Sequence, residues 1–248
     1  MTVTDLPAVR TRPGSLTTTG ALAPWCISRR WTRLVGLLAL TSAAGVGVLL
    51  RGVVGHDGLT SYDPSITHLL VNSRTPGWTA IAQVVTTVGS DVSMFILAGL
   101  ACVWLLVVRS DRRAAVLLAS SMLAVAVLVL GIKALVARPR PAAWMVSGPP
   151  ETSYSFPSGH TLASTVCLGV AAGLLARRAR PAGRLVLLLL WLLGSGAVGF
   201  TRVYLGYHWL TDVLAGLLLG VVVLSLGIVA MLRTTPPAAL ERVTLAQT

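Results

Sequence analysis

The chain has 248 residues, of which 54% are hydrophobic and 11% are charged, and its mean hydropathy is +0.79. A soluble domain carries about 25% charged residues, so this composition excludes an ordinary soluble globular enzyme, and its apolar excess excludes intrinsic disorder. The formal net charge is +12. In so apolar a chain we attribute the cations to cytoplasmic loops that face anionic lipid, and we expect no nucleic-acid partner.

Uncharged apolar segments fill most of the chain and predict an all-α, polytopic membrane protein. A spanning helix needs roughly 20 mostly apolar residues, with a range of about 17 to 25. Six segments meet or approach that length without a charge, at 34–50, 92–108, 114–132, 161–176, 185–201 and 213–232. We therefore expect a six-helix transmembrane domain over 34–232, between a flexible N-terminal tail (1–33) and a short C-terminal tail (233–248).

The cations are divided unevenly between the two sides of this predicted domain. Six spans place both termini on one side, and that side carries 14 of the 20 Lys and Arg residues. The positive-inside rule then predicts a multi-pass protein of the cell membrane with both termini in the cytoplasm. The six cations on the extracytoplasmic side are Arg51, Arg74, Lys133, Arg138, Arg140 and Arg202.

The segment between the first two spans contains further helical patterns. Asp63-Pro64 is typical of an N-cap followed by proline at the first helical position, and predicts a short helix on the outer membrane surface. Residues 75–90 are uncharged but mixed, so they form either a second outer helix or an extension of the second span past Asp91. Asp91 itself is interpreted as a helix boundary.

Three polar clusters lie at the ends of predicted spans, all on the extracytoplasmic side. Residues 133–141 end the third span, 154–160 open the fourth, and 201–212 join the fifth to the sixth. Ionisable groups at such positions are unfavourable unless they pair with each other or face a watery site. The clusters are therefore the candidate functional region.

Cations in these clusters predict an anionic ligand, because few acidic residues on that side are available to pair with them. Arg140 and Arg202 each offer a planar fork that suits phosphate oxygens, and Lys133 offers a point charge. Ser158 and Gly159 stand where the fourth span begins. Backbone N–H groups at a helix start bind anions, and glycine permits close approach.

Two histidines supply the reactive groups. His208 and Asp212 are four residues apart, so if the sixth helix begins near His208 both point along one face. The carboxylate can then accept from one imidazole nitrogen and leave the other free to attack. With His160 as the complementary acid, these groups among three cations are typical of metal-free phosphoryl transfer through a phosphohistidine.

Together the clusters resemble the tripartite signature of the type 2 phosphatidic acid phosphatase (PAP2) superfamily, K-x6-RP, PSGH and SR-x5-H-x3-D. The matching residues are Lys133, Arg140 and Pro141 in the first motif, 157–160 in the second, and Arg202, His208 and Asp212 in the third. Thr201 stands where the family usually has serine. Three motifs in this order, at helix ends on one membrane face, make a specific signal.

The resemblance implies a PAP2-like helical bundle with a defined set of site residues. By it, Lys133, Arg140, Ser158, Gly159 and Arg202 bind phosphate. His208 is the nucleophile, His160 protonates the leaving oxygen and Asp212 orients His208. No metal and no cofactor are implied. The superfamily also includes vanadate-dependent haloperoxidases with the same anion pocket, but those are typically soluble and the six spans argue against them.

The implied function is an integral membrane phosphatase that acts on a lipid phosphate or diphosphate at the extracytoplasmic face. Candidate substrates by resemblance are undecaprenyl diphosphate, phosphatidylglycerol phosphate and phosphatidate. Two alternatives remain open: a phosphotransferase that uses the same intermediate, and a non-catalytic protein that binds or transports lipid phosphates. The bilayer and a membrane lipid are the expected partners, and the oligomeric state is left open.

Several other residues have simpler interpretations. We expect His56 and His68 to be structural, and Arg138 to be either a substrate contact or a solvated loop cation. Glycine pairs spaced four residues apart on the fourth and sixth spans resemble close-packing helix faces. These glycines are Gly169, Gly173, Gly216 and Gly220.

Overall fold

The computed structural model describes residues 29–233, so nearly all of the two predicted tails lies outside the described residues. The α-helices are α1 (Arg29–Gly55), α2 (Asp63–Asn72), α3 (Pro76–Val88), α4 (Asp91–Val107), α5 (Arg112–Val136), α6 (Gly159–Ala176), α7 (Pro181–Tyr204) and α8 (Leu210–Arg233). Short 3-10 helices occupy Gly58–Tyr62 and Ala143–Met145. Residues 29–33, which the sequence assigned to the N-terminal tail, begin α1.

The helices confirm an all-α membrane protein. Five of them, α1, α5, α6, α7 and α8, are long and apolar enough to cross a membrane, and the bent α3–α4 pair adds a sixth candidate span. Leucines remain exposed on the outward faces of α1 and α7. Because lipid tails are as apolar as these side chains, such faces suit a bilayer.

The spanning helices extend past the predicted segments because charges at helix ends are compatible with a helix. Lys133 lies in the last turn of α5 and Arg202 in the last turn of α7, while Asp212 lies in the first turn of α8. Cations near a helix C-terminus and an acid near an N-terminus interact favourably with the helix dipole. Because the predicted segments were bounded by the first charged residue, they end before the helix termini that carry these candidate site residues.

The uncertainty over residues 75–90 is resolved by a bend. α3 and α4 are separate helices that meet at an angle of 43°. Gly89 makes the bend possible, since a Cβ at this position would lie 2.3 Å from Val198 Cγ2 of α7. Ser90 then caps α4 by accepting a hydrogen bond from the Ser93 backbone N–H at 3.1 Å. Asp91 is thereby fixed as the first residue of α4.

Helix α6 is central in the bundle and packs against α4, α5, α7 and α8. Three of the predicted packing glycines let its neighbours approach: a Cβ at Gly216 would lie 2.9 Å from the Ser158 carbonyl oxygen, and one at Gly220 would lie 2.5 Å from Thr165. Gly169 similarly abuts Leu224 of α8 at 2.5 Å, whereas Gly173 has open space. This close packing brings the start of α6 against the start of α8.

Candidate active site

The three polar clusters meet at one end of the bundle. The end of α5, the start of α6, the end of α7 and the start of α8 lie at the same end because consecutive spanning helices run in opposite directions. The connection between α5 and α6 is held there by backbone hydrogen bonds from Ser155 N–H to the Arg138 carbonyl (2.9 Å) and from Ser158 N–H to the Asp212 carbonyl (3.1 Å).

His208 and Asp212 form the predicted pair, although α8 begins two residues after His208. The Nδ1 atom of His208 lies 3.3 Å from Asp212 Oδ2, and both side chains are fully buried. The same carboxylate oxygen accepts from the Trp209 backbone N–H at 3.0 Å. Ser155, which the sequence analysis did not select, donates its hydroxyl to Asp212 Oδ2. Asp212 thus fixes the His208 ring through Nδ1 and leaves Nε2 available.

The surroundings of His208 favour the neutral imidazole. Burial lowers the pKa of His208 well below its ordinary value, and the positive charges of Arg202, Arg140 and Lys133 lower it further. Its Nε2 atom lies 3.2 Å from Arg140 Nη1. A neutral nitrogen beside a cation is the arrangement expected of a nucleophile that attacks a bound anion.

Arg140 and Lys133 converge on the connection between α5 and α6. Arg140 donates to the Tyr207 carbonyl (2.7 Å) and to the Ser153 carbonyl (2.6 Å), and its Nη2 lies 2.8 Å from Glu151 Oε2. Lys133 Nζ donates to the Ser153 hydroxyl at 3.0 Å. Both cations are therefore directed toward this connection.

Arg202 is the most buried of the cationic phosphate-binding candidates, with 2% of its surface exposed. It donates to the Thr86 hydroxyl at 3.0 Å, pairs with the Glu151 carboxylate, and lies over the Tyr207 ring at 4.1 Å. Among the described residues its Nε has no hydrogen-bond partner. A buried guanidinium N–H without a partner is a donor site ready for an anionic oxygen.

Glu151, which was not among the residues predicted from the sequence, bridges Arg140 and Arg202. Its two carboxylate oxygens pair with Arg202 and Arg140. Burial favours the protonated form of Glu151, but the two adjacent guanidinium charges outweigh it and hold the pKa of this carboxyl below its ordinary value. The Glu151 carboxylate therefore lies between the two arginines that are predicted to bind phosphate.

The start of α6 presents the second motif. Ser158 is its N-cap residue, but its backbone N–H is taken by the Asp212 carbonyl and its Oγ accepts from Thr161 at 3.0 Å. The N–H groups of the first turn have no intrahelical acceptor and remain suited to an anion. His160 is in this turn, and its Nδ1 lies 2.6 Å from Asp91 Oδ1.

Arg138 is a buried ion-pair residue and not a solvated loop cation. Only 11% of its side chain is exposed, and its Nη1 pairs with Asp212 while its Nη2 pairs with Asp63 Oδ2 at 2.7 Å. Asp63 also accepts from the Thr211 backbone N–H at 3.0 Å. The expected N-cap at Asp63 is corrected by one position, since Tyr62 is the N-cap of α2 and Asp63 is a buried ion-pair partner.

His56, His68 and Thr201 make no contact with the buried His208–Asp212 pair among the contacts described here. The ring of His68 contacts Trp144 with centroids 5.3 Å apart, and His56 is exposed. The Thr201 hydroxyl donates to the Val198 carbonyl of its own helix at 2.7 Å. Across residues 29–233, no group of three or more His, Cys, Asp or Glu side chains is arranged to hold a metal ion.

Comparison with known proteins agrees with the motifs. The model of the PAP2 superfamily matches residues 114–235, a range that contains all three. Over this range the chain is similar to the PAP2 superfamily. Among curated proteins it is similar to an undecaprenyl-diphosphatase of Sulfolobus acidocaldarius (strain ATCC 33909), with 38% identity over 80 residues. That match covers 29% of this chain and spans only 31% of the relative's length.

Two solved structures share the fold. A crystal structure of a transmembrane PAP2 type phosphatidylglycerolphosphate phosphatase from Bacillus subtilis superposes with a TM-score of 0.73 and 22% identity, over 79% of this chain and 97% of that chain. The crystal structure of Aquifex aeolicus LpxE gives a TM-score of 0.52 and 24% identity, over 66% of this chain and 93% of that chain. At these identities the likeness establishes the architecture.

Proposed function

We propose that this protein is an integral membrane phosphatase that removes the terminal phosphate of a lipid phosphate or diphosphate. The observation that carries the proposal is the buried His208–Asp212 pair, whose Nε2 faces the guanidinium of Arg140 at 3.2 Å. Simple anion binding needs cations but does not need an oriented, neutral imidazole. The unpartnered Nε of Arg202 supplies a further donor for the phosphate.

The proposed reaction has two steps through a phosphohistidine. In the first, His208 Nε2 attacks phosphorus, the bond to the leaving oxygen breaks, and His160 gives that oxygen a proton. In the second, water attacks phosphorus, His160 takes a proton from the water, and the P–N bond breaks to free His208. Arg140, Arg202 and Lys133 stabilise the equatorial oxygens electrostatically throughout.

A lipid substrate is supported by the position of the site at the ends of apolar helices. We propose that this end is extracytoplasmic, because it carries six of the 17 cations within residues 29–233 and the opposite end carries the other 11. The similar proteins named above act, by their names, on undecaprenyl diphosphate and phosphatidylglycerolphosphate. Both are candidate substrates here, together with phosphatidate.

The proposal is tested with purified protein in detergent. We expect phosphate release from at least one of undecaprenyl diphosphate, phosphatidylglycerol phosphate and phosphatidate, undiminished by excess EDTA. Loss of release in EDTA that Mg²⁺ restores would contradict the metal-free mechanism. Transfer of labelled phosphate to an added alcohol in place of water would identify a phosphotransferase, and binding without any release would identify a binding or transport protein.

Glu151 gives a prediction about ligand affinity. A substrate phosphate must displace its carboxylate from Arg140 and Arg202, so Glu151→Gln removes a competing anion. We expect the variant to bind inorganic phosphate about tenfold more tightly, on the scale of one charged hydrogen bond of about 1.5 kcal/mol. Isothermal titration calorimetry in detergent measures this affinity.

The matched control is Asp111→Asn at the opposite end of the bundle, where the Asp111 carboxylate lies 2.9 Å from Arg177. This variant also removes one negative charge but should leave phosphate affinity unchanged. Weaker phosphate binding by Glu151→Gln would mean that Glu151 holds the arginines in their binding geometry and does not compete with the ligand.

A further inference from the structure

Asp91 is an acidic side chain that the proposed reaction leaves without a role. It is half-buried at the first position of α4, and its Oδ1 lies within ion-pair distance of His160 Nδ1, at 2.6 Å. This contact joins two segments that are far apart in sequence. It occupies Nδ1 of the His160 ring, so only Nε2 is left to face a substrate.

The local structure of three helices fixes this contact. Gly89 allows the α3–α4 bend to pack against Val198, and the Ser90 cap sets the start of α4. A Cβ at Gly159, the residue before His160, would lie 2.5 Å from Asp91 Oδ2, so a side chain there would displace the Asp91 carboxylate. Glycine at position 159 therefore admits the Asp91 carboxylate to the start of α6.

Resting on the proposed phosphatase function, we infer that Asp91 is a positioning residue for the general acid His160. The carboxylate accepts a hydrogen bond from the Nδ1–H group, so the proton given to the leaving oxygen is the one on Nε2. After that transfer His160 is neutral, with Nδ1–H still bound to Asp91 and Nε2 free to take a proton from the attacking water. Asp91 keeps its charge throughout and holds the orientation of the His160 ring.

The charges around Asp91 make a positioning role distinguishable from a role in phosphate binding. Lys133 and Arg202 both interact electrostatically with the Asp91 carboxylate. Removing its negative charge leaves these cations more available to an anion, so substrate binding should be unchanged or tighter. A positioning role therefore predicts that Asp91→Asn lowers kcat without raising KM.

The experiment compares two leaving groups. Alkyl phosphates depart as strongly basic alkoxides and need a proton, whereas 4-nitrophenyl phosphate departs as a stable phenolate and does not. We expect Asp91→Asn to lower kcat about 10- to 100-fold on a lipid monophosphate, part of the roughly 10²–10⁴-fold that general acid catalysis contributes. On 4-nitrophenyl phosphate the first step, measured as the pre-steady-state burst of 4-nitrophenolate, should slow by less than about threefold, whereas the water step is common to both substrates.

Further variants test whether Asp91 acts through His160. Asp91→Glu should restore part of the lipid phosphatase activity. The double variant Asp91→Asn/His160→Asn should lose no more than His160→Asn alone, because coupled residues are not additive. Asp57→Asn, on the exposed Asp57–Arg51 pair, is the charge-matched control and should be unchanged on both substrates.

An equal loss in the rate of the first step on both leaving groups, or an additive double variant, would overturn the inference and leave Asp91 a structural residue. That result is distinct from failure of the proposed function, in which wild-type protein releases no phosphate from any lipid. Thermal unfolding of each variant in detergent confirms that the comparison is made on folded protein.

Discussion

His208→Ala should abolish turnover, with kcat lowered at least about 10⁴-fold on the best lipid substrate. The magnitude follows from the two-step reaction, because a variant without the nucleophile cannot form the covalent intermediate and retains only binding and electrostatic effects. In wild-type protein, rapid quenching with labelled substrate should trap an acid-labile, alkali-stable phosphoryl group. Mass spectrometry of the trapped protein should locate it on His208.

The matched control is His68→Ala, which removes an imidazole at the same end of the bundle whose ring contacts only Trp144 among aromatic rings in the described chain. We expect near-normal turnover for this variant. Near-normal turnover for His208→Ala, or a trapped phosphoryl group on His160, would remove the nucleophile assignment while leaving phosphatase activity itself in place.

The fold was predictable from the sequence because each helix that crosses a bilayer must be apolar and long enough to span it. Five spans follow from uninterrupted apolar segments. Only the extent of the remaining span was left open, because the bend between α3 and α4 depends on Gly89 meeting Val198, which is distant in sequence. The helix ends were underestimated for a related reason: Lys133, Arg202 and Asp212 are charged and yet helical.

The candidate site was predictable where residue type and spacing carry the chemistry. His208 and Asp212 are close in sequence and meet as expected. The contacts of Arg138 and Asp63 were not predicted, because their partners lie in distant segments of the chain. Asp63 lies 148 residues from Thr211, whose backbone N–H it accepts. The sequence did offer one indication for Asp63. An acidic residue in so apolar a chain is unfavourable unless it is paired, so a cationic partner could have been expected.

The pairing of Asp63 leads to the second large effect, which is on stability. Asp63→Ala would leave the buried Arg138 guanidinium with one carboxylate partner instead of two and the Thr211 N–H without its acceptor. Breaking a buried ion pair from one side destabilises by about 3–5 kcal/mol. We therefore expect Tm in detergent to fall by roughly 6–20 °C.

The same change should also lower activity in protein that remains folded, since Arg138 connects Asp63 to Asp212 and Asp212 orients His208. Asp57→Ala is the matched control, because the Asp57–Arg51 pair is exposed with its charged atoms 3.7 Å apart. An exposed pair contributes about 0–1 kcal/mol, so that variant should melt close to wild type. Equal melting of the two variants would show that Asp63 does not anchor Arg138. If instead Asp63→Ala melts early and forms the phosphohistidine slowly, then the outer helix α2 supports the nucleophile through a chain of charges, Asp63 to Arg138 to Asp212.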